Sequence, residues 1–104
     1  MSLKIDIFGS KDLLTSEVDT KGFTIKRSDG VAITVTTATF EIFDESGQSL
    51  GTAASATITN NTTALVTISA SISAGTNTGE KYVQFVLVIG ALTKVVRLEY
   101  EVFK

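Results

Sequence analysis

Residues 81–104 read KYVQFVLVIGALTKVVRLEYEVFK. Two runs rich in β-branched and aromatic residues flank Gly90-Ala91, a two-residue break with glycine first. This is the pattern of an antiparallel hairpin closed by a type II′ turn, because glycine alone takes the positive φ of the first central position without strain. With Gly90-Ala91 as the loop, Ile89 faces Leu92, Leu87 faces Lys94, Phe85 faces Val96 and Val83 faces Leu98. Tyr100 and Val102 continue that face, which is the core face. The reverse face carries Tyr82, Gln84, Val86 and Val88 against Thr93, Val95, Arg97, Glu99 and Glu101. It is polar at the open end and apolar near the turn. A slip of one residue would exchange the two faces.

The rest of the chain extends the same pattern. Leu3, Ile5 and Ile7 alternate with Lys4 and Asp6, a first strand with one buried face that ends at Gly9. Ser10 to Thr20 is polar around Leu13-Leu14 and reads as a loop or one helical turn capped by Ser10. Gly22–Arg27 and Val31–Val35 alternate on either side of the turn Ser28-Asp29-Gly30, as a hairpin or as one strand broken by a bulge. Ala38–Asp44 is a strand with Phe40 and Ile42 on one face and Thr39, Glu41 and Phe43 on the other; Asp44 to Gly47 is a turn. The small residues of Gly51 to Ala56 suit a sheet edge or a crossing between sheets. A loop at Asn60-Asn61-Thr62, with one Asn left-handed, places Ala56, Ile58, Val66 and Ile68 on one face. Ala70 to Gly79 is small and polar and reads as a second crossing. No stretch patterns as a helix of ten or more residues. Short strands separated by turn signals at about ten-residue spacing predict an all-β antiparallel sandwich, with a small closed barrel as the alternative. The length predicts a single domain over 1–104.

Composition narrows the chemistry. With no His the usual metal ligand and neutral-pH base are missing, and with no Cys there is neither a disulfide nor a thiolate site. This fits a reducing compartment or a bacterial or viral origin. A net charge of −2, with signs interspersed, leaves no footprint for nucleic acid or for an anionic membrane. No apolar run reaches the ~18 residues that span a bilayer, and no signal peptide is visible. Asp44 and Glu45 have only Ser46 and Gln48 as neighbouring oxygen ligands, too little charge for calcium; a turn closed by Asp44 onto its own backbone is the expectation. Glu99 and Glu101 share a strand face beside Arg97. They could serve as paired carboxylates, and are expected instead to keep a solvated face from pairing. No Ser-x-x-Lys occurs, and Gly75 to Gly79 lacks the following Lys and helix of a phosphate loop. The sequons at Asn60 and Asn61 are expected to be turn chemistry. Phe23 with Lys26 and Arg27 is a weak single-strand motif; Phe23 belongs to the core by its alternation with Ile25. No enzymatic activity, cofactor or metal is expected. The informative feature is the outward strip of Val86, Val88 and Val95, joined by Phe43 or Phe103. It is expected either to be a protein interface or to be covered by the Ser10–Thr20 loop.

One pattern goes further. Phe23-Thr24-Ile25-Lys26 with Asp29-Gly30 precedes Ala38-Thr39-Phe40-Glu41-Ile42-Phe43-Asp44 with Gly47. A Thr-rich extended segment, a Gly-x-x-Tyr start at Gly79 to Tyr82 and the closing hairpin follow. Over about Gly22 to Phe103 this resembles the small immunoglobulin-like β-sandwich domains of tailed-phage and prophage structural proteins, in the style of the N-terminal domain of baseplate upper proteins. The resemblance implies an immunoglobulin-like sandwich of about seven to eight strands, a virion structural role in tail or baseplate assembly, contacts with other phage structural proteins or with itself as a homo-oligomer, and no catalysis. Location would be the virion or the bacterial cytoplasm. Tyr82 resembles the tyrosine-corner position of such sandwiches. The first strand and loop have no counterpart. A carbohydrate-binding or adhesin-type sandwich on a bacterial surface is the alternative, and would use exposed aromatics such as Tyr82 and Phe43.

Overall fold

The computed structural model describes residues 2–62 and 64–104, the side chains of 61 and 62 apart. Among the described residues there are nine strands: β1 (Leu3–Phe8), β2 (Asp12–Leu14), β3 (Val18–Arg27), β4 (Thr37–Asp44), β5 (Ala54–Ser55), β6 (Thr57–Thr62), β7 (Leu65–Ser73), β8 (Gly79–Ile89) and β9 (Leu92–Phe103). They form a four-stranded sheet in the order β1-β3-β7-β6 and a five-stranded sheet in the order β2-β9-β8-β4-β5. Every pairing is antiparallel except that of β2 with β9.

The C-terminal hairpin has the predicted register. Ile89 pairs with Leu92, Leu87 with Lys94, Phe85 with Val96 and Val83 with Leu98. Gly90 has φ +60°, and Ser16 is the sole non-glycine at positive φ among the described residues, so Ala91 is not left-handed. That combination is the type II′ turn. Val83, Phe85, Leu87, Val96, Leu98, Tyr100 and Val102 are buried against Phe23, Ile25, Val66, Ile68 and Ile72 of the facing sheet. Phe23 meets Phe85 edge to face, with ring centroids 5.3 Å apart at 85°. This contact joins the two sheets at the centre of the core.

Four expectations are corrected. The Ser10–Thr20 segment is not a helical turn: Asp12–Leu14 is a strand that continues the second sheet beside Glu101–Phe103, and its Leu13 is buried in the core. The amide of Ser10, instead of capping a helix, donates to Asp19. Gly22–Arg27 and Val31–Val35 do not form a hairpin. β3 lies between β1 and β7, and residues 31–36 cross to the other sheet, where the Thr36 amide donates to the Val88 carbonyl at 2.9 Å. The alternation persists there because Ile33 and Val35 still seal the core. The turn expected at Asn60-Asn61-Thr62 is strand, with a register shift between Asn60 and Thr62; residue 63 lies outside the described residues. Ile58 nevertheless faces Ile68, as the preferred grouping requires. Residues 70–73 belong to β7, and Ala70, Ile72 and Ala74 are buried, so the crossing to β8 is shorter than expected.

Gly22 has a packing reason. A Cβ there would collide with the carbonyl oxygen of Ile68 and meet Phe8 Cζ at 2.9 Å, because the Phe8 ring lies over the glycine opposite which it pairs. A Gly22→Ala variant is therefore expected to lose about 3 kcal/mol in chemical denaturation, whereas Gly51→Ala, with open space around it, should change stability little.

Candidate interaction face

The outer face of the five-stranded sheet carries the residues singled out from sequence. At its turn end Val86 stands between Val95 and Thr39, and Val88 between Thr93 and Thr37, by strand register. Val86 and Val88 are half-buried by these neighbours, and Val95 is 50% exposed. The segment that was expected as a possible cover does not reach them: β2 sits beside the last residues of β9, at the other end of the hairpin. The three valines are thus a partly exposed apolar patch that β2 does not cover.

Phe43 and Phe103 are on the same face but apart from this patch. Phe43 pairs with Tyr82, four residues along β8 from Val86, a separation of roughly 13 Å. Between them lies the polar row of Glu41, Gln84 and Arg97. Phe103 is at the end of β9 beside Leu14, and both are exposed.

Tyr82 stacks on Phe43 with centroids 5.1 Å apart at 16°. Its other neighbour is the Arg97 guanidinium, 4.8 Å from the ring centroid and held by a 3.1 Å hydrogen bond from Nε to Gln84 Oε1. Tyr82 therefore points away from the core and is not a tyrosine corner. A groove of about 420 Å³ runs beside it, lined by Lys11, Glu45, Glu80, Arg97, Glu99 and Glu101 among others. Among the described residues no three His, Cys, Asp or Glu side chains are grouped to hold a metal ion. Asp44 spends one oxygen on its own turn, accepting from the Ser46 amide and hydroxyl and from the Gln48 amide. The Ser46 hydroxyl and then the Gln48 amide hold its carboxyl below the usual value. Arg27 is bound to Asp29 through two hydrogen bonds, and Phe23 is in the core, so neither belongs to a basic aromatic surface.

A buried polar cluster went unforeseen. Lys21 is 2% exposed; its ammonium donates to the Ser10 carbonyl, pairs with Asp19 at 3.0 Å and lies 4.8 Å from the Tyr100 ring centroid. Lys81, also buried, donates to the Ala74 carbonyl at 2.9 Å. Both lysines could have been found from parity, since Lys21 is two residues before Phe23 and Lys81 two before Val83. Burial raises the Asp19 carboxyl, but the Ser10 amide and the Lys21 ammonium outweigh it and leave the carboxyl below its ordinary value. The arrangement ties the segment after β1 to β3. A recess of about 500 Å³ lies beside it, bordered by Ile7, Ser10, Lys11, Arg97 and Glu99 among others.

Comparison with known proteins places the fold. No family model matches, and there is no significant match among curated proteins. The filamin domain of Lin-41 superposes with a TM-score of 0.54 at 10% identity, covering 95% of this chain and 91% of that one. The CARDB domain of a Pyrococcus furiosus protein, solved in complex with di-metal ions, gives 0.61 at 12% identity, covering 98% and 88%. At these identities the likeness is one of fold, and the chain is an all-β immunoglobulin-like sandwich.

Tyr100 yields a measurable consequence. It is 4% exposed and its hydroxyl has no hydrogen-bond partner among the described residues. Burial pushes its pKa up from 10.0 to about 12. The unfolded chain releases this proton first, so stability should fall as pH rises from 10.0 to about 12. Tyr100→Phe is expected to flatten that decline and to gain about 1 kcal/mol at neutral pH by removing an unpaired buried hydroxyl; thermal denaturation across the pH range checks both.

Proposed function

We propose that this domain is a non-enzymatic assembly module of a phage or prophage virion, of tail or baseplate type, that binds its neighbours through the outer face of the five-stranded sheet. The observation that carries the reading is the patch of Val86, Val88 and Val95, of which Val95 is half-exposed and which β2 does not cover. Exposed strands with a contiguous apolar strip favour association over a monomeric life in water. The polar row at Arg97 and Gln84 would form the rim on one side. The virion assignment rests on the sequence resemblance between Gly22 and Phe103, and the sandwich architecture is compatible with it.

The carbohydrate-binding alternative needs an open aromatic face. Tyr82 has one ring face on Phe43 and Arg97 against the ring, and Tyr100 is buried, so the sheet presents no aromatic platform at either tyrosine.

The test is co-expression with the products of the adjacent genes. The native domain is expected to form a complex with a tail or baseplate protein, and Val95→Lys to weaken it at least tenfold, since a charge would be buried in an apolar contact. Val95 is half-exposed, so the variant should fold. Adjacent genes of unrelated metabolism, with a complex insensitive to Val95→Lys, would overturn the proposal.

A further inference from the structure

The four-stranded sheet ends in β1, whose outer edge takes no backbone partner among the described residues; the Ser28 amide at the Ser2 carbonyl continues its inner ladder with β3. The edge strands of the other sheet are short, three residues in β2 and two in β5, a common way to blunt an edge. β1 is six residues of regular strand, Leu3-Lys4-Ile5-Asp6-Ile7-Phe8. Its apolar row is incompletely covered: Leu3 and Ile5 are half-buried and Ile7 is 61% exposed, although Ile7 pairs with the buried Phe23. On its other face Lys4 and Asp6 are exposed and have no ion-pair partner among the described residues.

We infer that β1 is a self-pairing edge, which joins two copies of this chain antiparallel about a two-fold axis at Ile5 into one continuous eight-stranded sheet. The register follows from charge. Residues directly opposite in an antiparallel pair project to the same side. Centred on Ile5, Lys4 of each copy faces Asp6 of the other, and Leu3 faces Ile7. A shift of two residues in one direction sets Lys4 against Lys4, and in the other Asp6 against Asp6, both repulsive. A shift of one places charges against apolar residues. The strand is therefore complementary to itself in one register. The bland role of Lys4, guarding an edge against any strand, does not account for an acid two residues away, which removes that guard for a second copy alone.

The contact also covers Ile7, the second most exposed large apolar residue of the described chain after Val18. A single strand pair is a small interface, so the dimer is a weak one that fills at high protein concentration. This surface is separate from the valine patch and extends the assembly reading to contacts between like domains. It does not depend on that patch.

Sedimentation equilibrium of the native chain up to about 1 mM should show a monomer–dimer equilibrium. Lys4→Asp and Asp6→Lys should each weaken it roughly tenfold or more, because both cross-strand ion pairs become like-charged. The variant carrying both changes restores complementarity and should dimerise as the native chain does. An equimolar mixture of the two single variants should form a heterodimer in preference to either homodimer, read by native mass spectrometry. Unchanged thermal melting of the exposed variants controls for folding. A chain that stays monomeric over the whole range overturns the inference. So does a dimer indifferent to the two charge reversals but lost in Val95→Lys; it would assign self-association to the valine face and leave the assembly proposal standing.

Discussion

The antiparallel register of β8 on β9 is the constraint on which the rest of this domain depends. Phe85 opposite Val96 and Val83 opposite Leu98 put one unbroken apolar row inward. The Phe23 ring then closes edge-on against Phe85 and couples that row to the facing sheet. Because side chains alternate strictly along a strand, the same register puts Val86, Val88 and Val95 outward. The core and the candidate interface are two consequences of one pairing. The pairing in turn requires Gly90 in the left-handed region, where a residue with a Cβ is strained.

The four-stranded sheet is held by different means at two neighbouring positions of β3. At one, β3 and β7 approach so closely that Gly22 has no room for a side chain, and Phe8 fills the space above it. At the other, a charged latch of Lys21, Asp19 and the Ser10 carbonyl fixes the point at which the chain leaves β1 and joins the opposite sheet as β2. A lysine this deeply buried is tolerated because its ammonium has an acid, a carbonyl and an aromatic ring around it. Stability should fall on acidification through the depressed range of Asp19, as protonation removes the partner of that lysine.

Much of this architecture was legible in residue order, and the gaps have physical causes. The hairpin could be paired residue by residue because its two-residue turn leaves one register. Residues 31–36 could not be distinguished from a strand, since Ile33 and Val35 point inward whether or not their backbone pairs. The three residues of β2 are too few to show a period, and the parallel pairing of Leu13 with Val102 is long-range. Of the candidate face, the valine grouping was readable from one hairpin. The separation of Phe43 was not, because it depends on how β4 aligns with β8. The buried lysines interrupt the apolar alternation that marks a core face, although parity with Phe23 and Val83 sets them on it.

The most direct test is a measurement of the hairpin register in solution. Cross-strand nuclear Overhauser contacts should place Val86 opposite Val95 and Phe85 opposite Val96, and a soluble paramagnetic agent should broaden Val95 while sparing Val83, Phe85 and Leu87. Contacts that place Val86 opposite Val96 or Lys94, with Phe85 broadened, would mean the faces are exchanged and would contradict both the core and the interface described above.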